Sequence, residues 1–246
     1  MLRFGFASAD LILWGSQVSR YQLGDVPVVF PRQFLHTESG SHLSGGIPIA
    51  HPWFGARDGV LPRHGFLRDT SMMHGKQHNE ASAQLLLDVK DTDFIWYPYP
   101  HAVSVTTTLM GDAGLQQHLW IRNTGTERMP VNPGWHPYLC MPQGVATVTM
   151  GEAVLPIGGT GYQWGKAEVL MPTTEEDVLV RLPGLGTVAV EIPTGFSRVV
   201  VWTDSKAYLC VEPVFTDTAF FATDEGAWLL PGNDLSCEFA LRVMLG

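Results

Sequence analysis

Three short clusters hold the residues best suited to chemistry. Residues 45–55 read GGIPIAHPWFG and 61–68 read LPRHGFLR, so His51, Trp53, Arg63, His64 and Arg68 gather among glycines and prolines. Glycine lets a backbone approach a ligand, proline stiffens the loop, and histidine, arginine and tryptophan supply donors and a stacking face. The same run would also serve as a rigid crossover whose aromatics cover the edge of a core. The second cluster, NPGWHPY at 132–138, sets His136 beside Trp135 and Tyr138. Ring faces stack on a pyranose and an imidazole reaches its oxygens, so a sugar site can look like this. A core histidine satisfied by a backbone carbonyl reads the same way. The third cluster is Trp202-Thr203-Asp204 with Cys210-Val211-Glu212-Pro213. Alternation along 207–212 puts Glu212 on the face of Tyr208 and Cys210. A carboxylate closing so apolar a strand either emerges into solvent or is buried, and a buried one has the raised pKa of a catalytic acid or base.

Other motifs are weak or missing. His74 and His78 have helical ligand spacing, but Gly75 and polar neighbours oppose a helix, and no HExxH occurs, so no metal is expected. Phosphate-cradling GxxxxGK[ST], GxSxG and dinucleotide GxGxxG motifs do not occur, which leaves histidine, glutamate and aspartate working without a cofactor. The acidic run 175–177 reads as a solvated turn. Cys140, Cys210 and Cys237 are odd in number and show no CxxC spacing, so neither a disulfide framework nor a zinc knuckle is indicated.

The elements that must carry these clusters are strands. The chain has 246 residues, a hydrophobic fraction of 45% and a charged fraction of only 16%, too few charges for many solvated helices. Runs at 102–109, 115–121, 187–192, 198–202, 207–211 and 235–243 are short and rich in β-branched or aromatic residues, and Gly, Pro and Asn turns bound them. No window of a dozen residues has helical spacing, and no repeat suggests a propeller. An all-β sandwich or barrel follows, read as a single domain over 1–246. The stretch 36–78 departs from the pattern: it holds six of the nine histidines, few strand-like runs, and is expected to be a functional irregular region. A net charge of −9 argues against nucleic acid as a partner. No apolar run approaches a membrane span, and the apolar run 11–14 is too short for a leader, so a cytoplasmic protein is expected.

Taken in order, GGIPIAHPWFG, LPRHGFLR, WHPYL, VVVWTD, CVEP and the late PGNDLSCEFALRV resemble the aldose 1-epimerase (galactose mutarotase-like) superfamily, most of all its short hexose-6-phosphate mutarotase-like branch. The likeness runs from about residue 40 to the C-terminus. It implies a β-supersandwich of two large antiparallel sheets with the site on a concave face. It also implies a sugar or sugar phosphate as the small-molecule partner, cofactor-free interconversion of anomers, and a monomer or weak homodimer. Carried over by position, His136 is implied as the general acid and Glu212 as the general base. His64 is implied near the ring or anomeric oxygen, Asp204 as a substrate-binding aspartate, and Arg68 as a phosphate contact. Trp53, Trp135 or Tyr138 would form the stacking floor, and Arg63 or Arg57 would support Arg68. Phosphate-using members carry an arginine directly before Gly-Gly-Ile-Pro. Here that residue is Ser44, so one arginine would hold what two usually hold, and His51 stands where an aromatic or other residue is common. The different-class alternative is a carbohydrate-binding or regulatory module that keeps the fold without turnover.

Overall fold

The computed structural model describes residues 1–37, 40–55, 62–111, 113–172, 177–216 and 227–246, with the side chains of 35–42 and 76–78 left aside. Arg57, residues 175–176 and the side chain of His78 fall outside that description. Two antiparallel sheets dominate, one of ten strands and one of nine. They are accompanied by two small pairs, Gln33–Thr37 with Gly40–Ser44 and Met129–Val131 with Ala227–Leu229. Among the described residues the only helix is the single 3-10 turn Leu67–Asp69, and no helix is long and apolar enough to cross a membrane.

Four expected strands lie inside His101–Met110, Gly114–Asn123, Arg198–Trp202 and Asp234–Leu245, while Gly186–Glu191 and Tyr208–Val214 cover the other two except for Ile192 and Ala207. Several run further than the sequence suggests. Tyr208–Val214 continues through Glu212 and Pro213 because it is paired on both sides: Arg198–Trp202 lies along one edge, and Tyr138–Cys140 with Gly134–Trp135 along the other. Pairing on both edges outweighs the low strand propensity of glutamate and proline. The expectation for 36–78 is corrected. The stretch contains Gly40–Ser44, Ile49–Ala50, the helical turn and Met73–His78. Such short pieces, paired with near neighbours or, for Ile49–Ala50, with Gly134–Trp135, carry no long hydrophobic alternation to mark them.

One core lies between the large sheets. From the ten-stranded sheet, Trp135, Leu139, Leu209 and Val211 enter it; from the other come Leu119, Phe239 and Leu241. Trp135 stacks on Phe239 with centroids 5.4 Å apart. Because side chains alternate along a strand, the residues between these inward ones face the other way. Tyr138, Tyr208 and Cys210 form a separate cluster with Phe30 and Trp202, and Phe54 forms another with Ala50 and Val214. That second face carries the candidate site.

Candidate active site

Register brings the first two residues together. Tyr138 pairs with Cys210 and Gly134 pairs with Val214, so His136 lies across from Glu212 at the centre of the sheet. Backbone bonds from His136 N to Pro48 O (2.9 Å) and from Tyr138 N to Gly46 O (3.0 Å) fix this segment against the GGIP turn. His136 Nε2 stands 3.2 Å from Glu212 Oε1, with the two residues 6% and 3% exposed. Even so, Glu212 Oε1 and His136 Nδ1 have no hydrogen-bond partner among the described residues. The imidazole is sandwiched: it stacks on Tyr138 at 4.8 Å and lies 6.2 Å from Phe54 at 27°.

His64 is delivered by a strained turn. It has φ 64° and Gly65 has φ 71°. A Cβ on Gly65 would sit 2.1 Å from the His51 carbonyl oxygen, so only glycine lets the loop lie this close. Phe66 N and Leu67 N donate to that same oxygen at 2.9 and 3.2 Å. The His64 ring is thereby turned toward His136, centroids 5.2 Å apart, and Phe54 packs on it edge-on at 4.7 Å. Gly55 N donates to His64 Nδ1 at 3.1 Å. With Nδ1 accepting, the ring proton of the neutral imidazole is on Nε2, which makes His64 a hydrogen-bond donor.

Burial sets the charge states. It raises the Glu212 carboxyl well above its ordinary range, with Arg63 pulling weakly the other way. It lowers His136 to about 3, assisted by the positive charges of Arg68 and Arg63. His64 is lowered by burial first, then by His136, Arg68 and Arg63. Both shifts favour the neutral forms, a carboxylic acid beside a neutral imidazole. Burial thus raises the carboxylate as the sequence reading requires, but it also displaces the imidazole, which was expected to titrate near neutrality.

The remaining candidates separate. Arg63 is exposed and Arg68 part-buried, with Arg68 Nε 3.6 Å from the Asp69 carboxylate. Asp204 is exposed and accepts a hydrogen bond from Tyr208 Oη; Tyr208 in turn packs on Tyr138 at 4.9 Å. Trp53 and Trp135 are corrected as stacking residues. Trp135 lies in the inter-sheet core on Phe239 and Phe196. Trp53 is in that core against Trp96 and Tyr97, with Nε1 donating to Pro62 O. Both point inward because their neighbours, His136 and Phe54, point to the site.

Three residues were missed. Phe54 follows Trp53 in the same motif, and strand alternation could have found it. Trp202 lies 6.2 Å from the His136 ring, in a motif already noted. Arg32 is the instructive one. Its Cα would lie 2.9 Å from a Cβ on Gly45, so its backbone runs directly beside the Ser44–Gly45 step. Arg32 Nη1 is buried without a hydrogen-bond partner among the described residues. Burial and the nearby charge of Arg68 lower the pKa of its guanidinium, while Asp69 supports it. Nothing in the local string around Arg32 signals this; only the strand order does. As for metal donors, the described residues offer one grouping, His136, Cys210 and Glu212.

The family model for aldose 1-epimerase matches residues 2–166. The chain belongs to the aldose 1-epimerase family. The match includes His64, Arg68 and His136, while Asp204 and Glu212 lie beyond it. No curated protein matches. Solved structures extend the likeness over the whole aldose 1-epimerase fold. The Slr1438 protein of Synechocystis sp. PCC 6803 superposes with a TM-score of 0.80 at 21% identity, covering 98% of this chain and 93% of its own. A galactose mutarotase related enzyme of Lactobacillus acidophilus gives 0.82 at 14%, covering 99% and 96%. A galactose mutarotase-like protein of Lactobacillus casei ATCC 334 gives 0.78 at 16%, covering 99% of each. At these identities the structures speak for the fold. Membership in the aldose 1-epimerase family supports the general function, an isomerase of the mutarotase or epimerase type with a small-molecule sugar as substrate.

Proposed function

We propose that this chain interconverts the α and β anomers of a hexose or hexose 6-phosphate, with Glu212 and His136 as the acid–base pair. The observation that carries the reading is the buried contact between His136 Nε2 and Glu212 Oε1 at 3.2 Å, with the donor His64 facing the same space. The pair holds one proton. In the free site it rests on Glu212; sugar hydroxyls entering the site solvate the alternative form, in which His136 carries it. His136 then protonates the ring oxygen as Glu212 removes the proton of the anomeric hydroxyl. The C1–O5 bond opens, rotation about C1–C2 presents the other carbonyl face, and closure returns both protons. No charge leaves the site. His64 Nε2–H holds an oxygen as its charge develops, and Tyr138 with Phe54 keeps the imidazole in place.

Arg32, Arg63 and Arg68 support the phosphorylated form of the substrate. Arg32 emerges beside Ser44, where the second arginine of a phosphate clamp would be needed, and a guanidinium pair suits a phosphate dianion. The chain would act as one domain, since a single core packs the two large sheets against each other.

Polarimetry on freshly dissolved α-D-glucose and α-D-glucose 6-phosphate tests this directly. The expected result is faster mutarotation of both over buffer, with the larger kcat/KM for the phosphate. Binding of either sugar with no acceleration would instead establish the non-catalytic module.

A further inference from the structure

Cys210 has no part in the proton transfers above, yet its sulfur lies within 4.8 Å of the donor atoms of both members of the pair. It is two residues before Glu212 on Tyr208–Val214, so both side chains share one face, and it pairs in register with Tyr138, two residues after His136. The donor atoms of His136, Cys210 and Glu212 all lie within 4.8 Å of one another, and all three residues are buried. We propose that these three residues bind a divalent cation of the zinc class, and that the ion excludes sugar from the acid–base pair.

Imidazole, thiolate and carboxylate are the ligand types that a borderline-soft ion takes, three of them leaving a fourth position open. Bonds of roughly 2.0–2.3 Å to a tetrahedral ion bring donors to about 3.3–3.8 Å apart, a contraction that side-chain rotation can supply. A further sign is Glu212 Oε1, which meets His136 Nε2 at 3.2 Å without forming a hydrogen bond. It is buried with no hydrogen-bond partner among the described residues, and such an atom is costly unless something satisfies it. His136 Nδ1 is also unpartnered there, so nothing fixes the tautomer against presenting a lone pair at Nε2. On binding, the Cys210 S–H and the Glu212 carboxyl release their protons to solvent, and the two anions neutralise the ion beside Arg63 and Arg68.

Only the exclusion of sugar rests on the epimerase reading; the binding does not. The experiment uses the purified full chain and Zn2+ alone, with a chromophoric chelator as competitor, and Co2+ as a spectroscopic probe. The expected result is one ion per chain, and a thiolate-to-cobalt charge-transfer band. Cys210→Ala and Cys210→Val should lose the band and bind Zn2+ weaker on the order of 10-fold or more, with thermal melts checking that each variant is folded. Absence of Zn2+ binding, cobalt binding without the thiolate band, or undiminished Zn2+ binding by a folded Cys210 variant would each overturn the site, whether or not the protein turns over sugar. In the active protein, Zn2+ should raise the apparent KM for sugar and EDTA should reverse it. Turnover unchanged in the zinc-loaded protein would overturn the exclusion alone.

Discussion

His136 with Glu212 and His51 with His101 are both buried, close-contact histidine sites, and the comparison separates structure from chemistry. His51 Nε2 meets His101 Nε2 at 3.0 Å, and His101 Nδ1 donates to Tyr99 O at 2.6 Å. That bond puts the His101 proton on Nδ1, so His51 is the donor between the two rings. Phe66 and Tyr97 pack on the His101 ring, and Phe66 on His51 as well. Burial lowers both histidines, His101 to about 4. Burial and a depressed pKa therefore do not mark the proposed acid–base pair, since both sites have them. What distinguishes His136 is the facing carboxylic acid with its unpaired oxygen, the donor His64, and the guanidinium rim. The His51 site instead holds the backbone oxygen on which the His64 turn is built.

The widest separation between the sites should be kinetic. His136→Ala is expected to lower kcat by about 10²–10⁴-fold, whereas His101→Ala should leave kcat within a few-fold. Steady-state polarimetry on the two variants checks this, and equal losses would erase the distinction. Next in size is the anionic rim. Arg68→Ala should reduce kcat/KM for glucose 6-phosphate by roughly 10–100-fold, as expected for charge-assisted hydrogen bonds. Turnover of free glucose should change little, and Arg32→Ala should act in the same direction but less. Equal losses on both sugars would remove the phosphate role.

Stability should reverse the order of importance. His101→Ala leaves the His51 donor unpaired and should cost about 1–3 kcal/mol by urea unfolding. The smallest effect is a pH signature. Histidine, ordinarily 6.5, is lowered here, so as pH falls from 6.5 toward 4 the unfolded chain gains protons that folded His101 refuses, and stability falls. Glu212, ordinarily 4.5, is raised, so above pH 4.5 the unfolded chain sheds a proton that the folded one keeps, and stability falls as pH rises. Glu212→Gln should therefore melt above wild type at pH 7 and lose that advantage below pH 4.5. A variant less stable at pH 7 would contradict the raised carboxyl.

Much of this was legible in the chain because strand alternation is local. The face shared by Tyr208, Cys210 and Glu212 could be read from spacing alone, and low charge with frequent turns pointed to sheets. Trp53 and Trp135 were misplaced although the same rule governs them. Their motifs are short loop-to-strand segments where the phase of alternation is set by a partner strand, here Ile49–Ala50 against Gly134–Trp135. Arg32 was invisible for a further reason. Its proximity to Ser44 comes from the chain folding back through the Gly45 approach, a contact that no string of neighbours encodes. The charge states were half legible: burial of Glu212 was foreseeable, but the low value of His136 comes first from burial of its own ring between the strands and then from Arg68 and Arg63, which only the fold shows.

The central claim is that Glu212 and His136 exchange a proton with the sugar. Two-dimensional exchange NMR of the α and β anomers at equilibrium measures that step without a coupled assay. With wild-type protein the exchange rate should rise well above buffer, and with folded Glu212→Gln it should return to the buffer rate. Exchange by Glu212→Gln as fast as by wild type would contradict the account.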